Sequence, residues 1–409
     1  MPTRRPASSL PLSVFSSEFA PGSTSRPAAF RGLALAVGVA LAACGTLVGC
    51  SSADEMPNAD AGTNGDAATS DGGLDANTGD GGTAQDSGTS NDASTEPEDV
   101  GNGWTWTPVA GALCDEGTPT GVGVYKTDSP NLLVFMMGGG ACWDYDSCVA
   151  SSLSNHGPYG AEQFKGELVS VATSVLGTSS ASPFATWNKI FVPYCTGDLH
   201  TGNKTATYTN ASGGDAHVLH HVGRTNVEGM VAKVLPQFSP TTVVVSGSSA
   251  GGFGALFNYT LVRGAYPSAK AYLIDDSAPT LVLGDSQKTV RPKALASWGS
   301  GAVLTQICST CLDEWADVLP TLTTKYPSDK FALLSNTQDG IMRFFFGLTG
   351  PQFLNSLNDL LAKYDTNPRT KYWVVEGTSH TFFRAPPPAL WTWLGQMVTD
   401  DAGWASTKP

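Results

Sequence analysis

Thr241-Thr-Val-Val-Val-Ser-Gly-Ser-Ser-Ala-Gly-Gly252 is the stretch that decides the fold. A β-branched apolar run enters Gly247-Ser248-Ser249-Ala250-Gly251, a G-x-S-x-G pattern, and a helix-like stretch follows. Strand, sharp turn and helix in that order form a nucleophile elbow. The turn forces Ser249 into a strained backbone conformation. Glycines two residues to either side let neighbouring backbone pass without a Cβ clash. The Ser249 hydroxyl is then presented above a sheet, at the start of a helix, which makes it the candidate nucleophile.

Working outward, short apolar runs recur between helical patterns. Expected strands lie at 131–137, 189–194, 242–246, 271–275, 331–335 and 371–375. Being apolar on both faces, they suit a mostly parallel sheet covered by helices on each side. Helical spacing is read at 225–235, 252–262, 351–364 and 388–398. Alternating strands and helices give an α/β class. In such sheets ligands sit at the carboxyl ends of the strands. The long polar segments 139–188 and 196–220 are therefore the expected walls of a cleft.

A serine nucleophile needs a base, an acid to orient that base, and donors for the oxyanion. His380 follows the last expected strand and is the only histidine after His221. It is the candidate base. The acid is expected after the preceding strand, at Asp339, with the adjacent pair Asp275 and Asp276 as competitors one strand earlier. Met137-Gly-Gly-Gly-Ala-Cys142 can turn N–H groups inward. The N–H groups of Gly140, Ala141 and Ala250 are the expected oxyanion donors.

Charge divides the chain. Over residues 1–32, Arg4, Arg5, Arg26 and Arg31 face a single acid, Glu18, and an apolar run follows from Leu33 to Ala43. That run is short for a membrane span and fits a signal-peptide core. Cys44 and Cys50 each follow a lipobox-like sequence, and Cys50, which leads into the next segment, is the expected lipidation site. Residues 51–100 hold nine Asp, three Glu and no Lys or Arg. Such a composition cannot bury enough apolar surface to order itself, so a disordered tether is expected. The net charge of −13 comes mostly from this segment. The expected catalytic domain, 101–409, is nearly balanced and shows no basic patch, so no nucleic-acid partner is expected.

Six cysteines remain beyond Cys50. In an exported chain an even number reads as disulfides. Cys142 with Cys148 and Cys308 with Cys311 are the local pairs, leaving Cys114 with Cys195. The C-x-x-C at 308–311 could instead be redox-active, but nothing thioredoxin-like surrounds it. His217, His220 and His221 cluster without an acidic or cysteine partner at metal-ligand spacing, and are read as ordinary residues at a helix start. No metal is expected.

The glycine turn with Cys142 beyond it, Tyr194-Cys-Thr-Gly-Asp198, Gly247-Ser-Ser-Ala-Gly-Gly252 and the late Ser379-His380 pair together resemble the pectin acetylesterase/Notum family. The likeness runs over about residues 101–400 and includes motif order and cysteine placement. It implies an α/β-hydrolase fold, a Ser249–Asp339–His380 triad, oxyanion donors from Gly140, Ala141 and Ala250, a Cys142–Cys148 disulfide, and no cofactor. Family members often carry Trp directly after the glycines. Here Ala141 stands there and Trp143 falls two places later, so the wall of the acyl pocket differs. Asp198 and His200 resemble a segment near the site in bacterial members. With Trp143, they are candidate substrate contacts.

The expected activity is that of an exported, lipid-anchored serine carboxylesterase acting on O-acyl groups of a polysaccharide. The acetyl preference comes from the resemblance alone. A fatty-acyl esterase resembling Notum is the alternative within enzymes. A non-catalytic surface carbohydrate-binding protein is the alternative outside them. A deep apolar pocket beside Ser249 would favour a longer acyl group, and a shallow polar one would favour acetyl.

Overall fold

The computed structural model describes residues 96–409, apart from 286, 287 and 289. The expected signal segment, both lipobox cysteines and most of the expected tether lie outside the described residues. The last residues of that tether do not behave as one: Glu98–Gly101 forms a strand and Val100 is buried.

Nine strands form one sheet: β1 Glu98–Gly101, β2 Trp104–Leu113, β3 Pro119–Tyr125, β4 Asn131–Met136, β5 Asn188–Val192, β8 Thr242–Ser248, β9 Lys270–Asp276, β10 Lys330–Asn336 and β11 Thr370–Val375. The other two, β6 Lys204–Tyr208 and β7 His217–His221, pair antiparallel as a separate ribbon. The large sheet runs β1-β2-β3-β5-β4-β8-β9-β10-β11. From β5 to β11 every neighbouring pair is parallel. The first three strands join as an antiparallel flank. This is the mixed α/β architecture of an α/β-hydrolase-like fold.

Helices cover both faces. They are α1 Ala161–Thr173, α2 Gly223–Lys233, α3 Ala250–Phe257, α4 Tyr259–Ala265, α5 Val290–Trp298, α6 Gly301–Ile307, α7 Val318–Lys325, α8 Gly340–Phe346, α9 Gly350–Asp365 and α10 Pro388–Val398. Strand side chains alternate between faces, and the core divides accordingly. Leu132, Val134 and Met136 of β4, with Val243 and Val245 of β8, pack on the face covered by α2, α3 and α9. Leu133, Phe135 and Val244 pack on the face covered by α1 and α10. A fully apolar strand is the sequence's answer to a sheet with no wet face.

The helical pattern over 252–262 is two helices, because the chain turns at the buried Asn258, whose side chain bonds the carbonyls of His200 and Gly254. His217–His221 is strand, not a helix start. It pairs along its whole length with β6. The sheet order puts β4, β8, β9, β10 and β11 side by side, so the segments leaving their carboxyl ends converge on one rim. Among the described residues no helix is long and apolar enough to cross a membrane.

Candidate active site

Ser249 leaves β8 at φ 57°, ψ −123°, a positive-φ conformation for a residue with a side chain. Such strain costs on the order of 1–3 kcal/mol and persists only where surroundings enforce it. Here they do. A Cβ on Gly247 would stand 2.1 Å from the carbonyl oxygen of Gly251, and one on Gly251 would stand 2.0 Å from that of Met136. The Ser249 N–H donates to the Asp276 carbonyl at 2.7 Å. The side chain is mostly buried, and its hydroxyl makes no hydrogen bond among the described residues.

Asp339 follows β10 and is fully buried. Its Oδ1 caps α8, accepting the N–H groups of Ile341 and Met342 at 3.0 Å each. Its Oδ2 lies 2.7 Å from Nδ1 of His380. The cap fixes the carboxylate, and the carboxylate fixes the imidazole with Nδ1 as donor. His380 Nε2 is then the ring's acceptor, and it is buried without a hydrogen-bond partner among the described residues. The competing acids do not reach this histidine. Asp275 accepts the N–H of Ala278 at 2.9 Å. Asp276 accepts from Ser248 Oγ at 2.7 Å and from the N–H groups of Phe382 and Phe383. Burial pushes both carboxyls above the usual range, Asp275 to about 8.

Asp276 thereby joins two loops. The Ser249 elbow hangs from its carbonyl, and the chain after His380 hangs from its carboxylate. Ser277, at φ 64°, adds a further tie: its Oγ accepts the N–H of Thr381 at 3.1 Å. Sequence reading singled out this acid pair as a rival acid. It missed that an acid beside the elbow can organise the loops instead.

The glycine turn after β4 packs directly on the elbow. A Cβ on Gly138 would lie 2.3 Å from the Ser248 carbonyl oxygen and 3.0 Å from Ser249 Cβ. Gly139 and Gly140 take φ of 155° and 77°. Of the expected donors, Ala141 is already engaged: its N–H donates to the Leu153 carbonyl at 3.3 Å. Asn155 N–H donates in return to Gly139 O at 2.7 Å, so the turn is laced to 153–155. The N–H groups of Gly139 and Gly140 have no protein acceptor among the described residues. Of the expected donors, Gly140 keeps a free N–H, and Ala250 opens α3 where helix N–H groups lack intrahelical acceptors.

Two buried side chains support the turn from beneath. Tyr194 Oη donates to Gly140 O at 3.0 Å and accepts from Leu199 N–H at 2.9 Å. His200 Nε2 lies 2.9 Å from Met137 O, and burial lowers the pKa of this ring, favouring the neutral form that donates there. Asp198 accepts from Thr196 Oγ1, His200 N–H, Gly202 N–H and Gly223 N–H. Asp198 and His200 are therefore corrected as substrate contacts. Both are almost wholly buried, and neither lines the cavity at Ser249.

That cavity has about 80 Å³ of free volume. Ser249, Ala250, Gly140 and Ala141 line it, together with Trp143, Phe253, Trp298, Trp315, Phe345 and Phe346. Trp143, a candidate substrate contact, is half-buried in this wall. The segment 139–188 contributes only its first residues. The opposite wall comes from α5 and α8, which sequence reading did not assign to the cleft. The phenylalanine run Phe344-Phe345-Phe346, directly after the Asp339 cap, was the available signal.

The disulfides are Cys114–Cys195, Cys142–Cys148 and Cys308–Cys311. His221 lies close to the Cys142–Cys148 bridge. Both sulfurs are committed to that bridge, and both His221 nitrogens are in contact with protein, Nδ1 with Thr196 O and Nε2 with Tyr208 Oη. This donor set does not suit a metal ion.

Residues 104–283, from β2 to the segment after β9, match the family model for pectinacetylesterase. Three plant proteins from Arabidopsis thaliana show weaker likeness along the chain. Pectin acetylesterase 4 is 25% identical over 162 residues, covering 38% of each protein. Pectin acetylesterase 5 is 26% identical over 166 residues, covering 39% of this chain and 37% of the relative. Pectin acetylesterase 11 is 25% identical over 209 residues, covering 48% and 49%. The chain spans between about two-fifths and half the length of these relatives. The matched stretch contains the glycine turn, Cys142, Cys195 and the Ser249 elbow, and over these residues the chain is similar to the pectinacetylesterase family.

Proposed function

We propose that this protein is a serine carboxylesterase that hydrolyses O-acyl esters on a polysaccharide. The observation that carries the reading is the convergence of the strained Ser249 elbow, the unengaged amides of Gly139 and Gly140, and the His380–Asp339 pair on one rim of the sheet. Ser249 Oγ attacks the ester carbonyl as His380 Nε2 takes its proton. Asp339 holds the ring tautomer and stabilises the imidazolium without itself taking the proton. The oxyanion receives the N–H groups of Ala250, Gly139 and Gly140. The tetrahedral intermediate expels the sugar hydroxyl, which takes its proton from His380. Water then enters by the same base and releases the acid.

The acetyl group is suggested by the names of the plant relatives. A second reading, hydrolysis of a fatty-acyl ester, is favoured by the apolar wall beside Ser249. We further propose export through the N-terminal signal, either anchored through a lipid on Cys50 at the bacterial outer membrane or cell surface, or secreted. No cofactor enters these steps. The test is acid release from acetylated polysaccharides alongside 4-nitrophenyl acetate. Turnover of both supports the reading. Glycan binding by the intact protein with no ester turnover would favour a carbohydrate-binding protein instead.

A further inference from the structure

The cavity at Ser249 is built for more than a methyl group. We propose, resting on the esterase reading above, that its acyl subsite accepts a planar aromatic acyl group of the benzoyl or cinnamoyl class. Size is the first argument. A free volume of about 80 Å³ lies beside Ser249, well above the roughly 10–15 Å³ needed for one water. Beyond the carbonyl, acetyl supplies one carbon and leaves most of that space empty, whereas a phenyl ring supplies six.

The wall is the second argument. Phe253 meets Trp315 at 5.6 Å and 60°, and Phe346 at 6.5 Å and 69°. These edge-to-face contacts present both ring edges and ring faces, the surfaces against which an aromatic guest packs best. Trp298 is held by its Nε1, which donates to Cys142 O at 2.6 Å. The wall is therefore fixed, and a flat guest gains most from a fixed wall.

Arg291 is the third. It is only 8% exposed, and it is among the residues that line the cavity. It stands 4.7 Å over the Trp315 ring and donates to the Asp313 carbonyl. No carboxylate forms a salt bridge with it among the described residues. An aliphatic tail laid against it would remove water and return nothing. The face of an aromatic ring offers a second π surface to the same cation.

The experiment compares kcat/KM for the 4-nitrophenyl esters of acetate, octanoate and benzoate, with inhibition by phenylboronic and n-butylboronic acids. Each boronic acid forms a reversible bond from its boron to an active serine oxygen. The proposal expects benzoate to exceed both other esters by at least about tenfold, and phenylboronic acid to inhibit at a concentration at least about tenfold lower than n-butylboronic acid. Turnover of acetate with benzoate below it, or octanoate above benzoate, overturns the aromatic assignment and leaves the esterase standing. Failure to turn over any ester, with no boronate inhibition, overturns the esterase reading and this one with it.

Discussion

The carboxylate of Asp276 accepts the N–H of Phe382 through both of its oxygens, at 2.9 and 3.0 Å. Phe382 lies two residues beyond His380, and the carbonyl of the same aspartate accepts the Ser249 N–H at 2.7 Å. One buried acid therefore sets the backbone on which both the hydroxyl and the imidazole stand. Asp339 acts differently, through direct contact with the ring.

These two acids are separable by substitution. Asp339→Asn places an amide opposite Nδ1 and favours the wrong tautomer, so kcat falls by on the order of 10⁴. Asp276→Asn keeps one acceptor oxygen for the Phe382 and Phe383 amides, and kcat falls by about tenfold, within the range seen for small misplacements of catalytic groups. Steady-state kinetics on 4-nitrophenyl acetate checks both. A larger loss in Asp276→Asn than in Asp339→Asn would contradict the assignment of Asp339 as the acid.

Gly140→Ala tests the oxyanion donors. A Cβ there would sit 1.9 Å from the Leu153 carbonyl oxygen, at a φ of 77° that side chains resist. The turn must move, and its N–H groups with it. The expected result is a kcat lower by about 10²–10³ with a smaller change in KM. Near-UV circular dichroism of the variant checks that the fold is kept.

Asp275 gives stability a pH dependence. Its folded pKa of about 8 stands above the unfolded value of 3.8, chiefly through burial. Below the unfolded value both states are protonated and its contribution is fully present. Between the two values the unfolded chain has released a proton that the folded one keeps, so stability falls as pH rises to about 8 and then levels. Asp275→Asn removes this titration while its side-chain oxygen can still accept the Ala278 N–H. The Tm of the variant should gain on the parent between pH 4 and pH 8, by at least about 3 °C, on the order of 1 kcal/mol. An unchanged gap across that range contradicts the assignment.

Cys114 and Cys195 close a separation of 81 residues that contains β4, β5 and the glycine turn. Replacing both by alanine should lower unfolding stability by about 2–5 kcal/mol. Urea titration measures it, and an unchanged midpoint would show that packing alone holds this flank.

The parallel strands were legible because a sheet covered on both faces demands continuous apolar runs, and β4, β8, β9 and β10 have them. The antiparallel flank was not found in this way. In β2, Trp104 and Trp106 alternate with threonines, so its signal has period two and is broken by Pro108 and Gly111. The β6–β7 ribbon is largely polar and exposed, and its histidines mimic a helix start. Ser249, His380 and Asp339 could be singled out because each follows a strand that sequence marks, and the fold brings Asp339 to His380. The cavity wall was not, since α5 and α8 reach Ser249 only through the fold. Whether Ala141 or Gly139 is free to donate depends on a carbonyl at Leu153, which no local pattern announces.

The central claim is that Ser249 Oγ carries the acyl group. Its most direct test is turnover of 4-nitrophenyl acetate by folded Ser249→Ala. The account predicts a loss of kcat on the order of 10⁵–10⁶, leaving only what the oxyanion amides and binding supply. A Ser249→Ala protein that keeps its parent's kcat would contradict it.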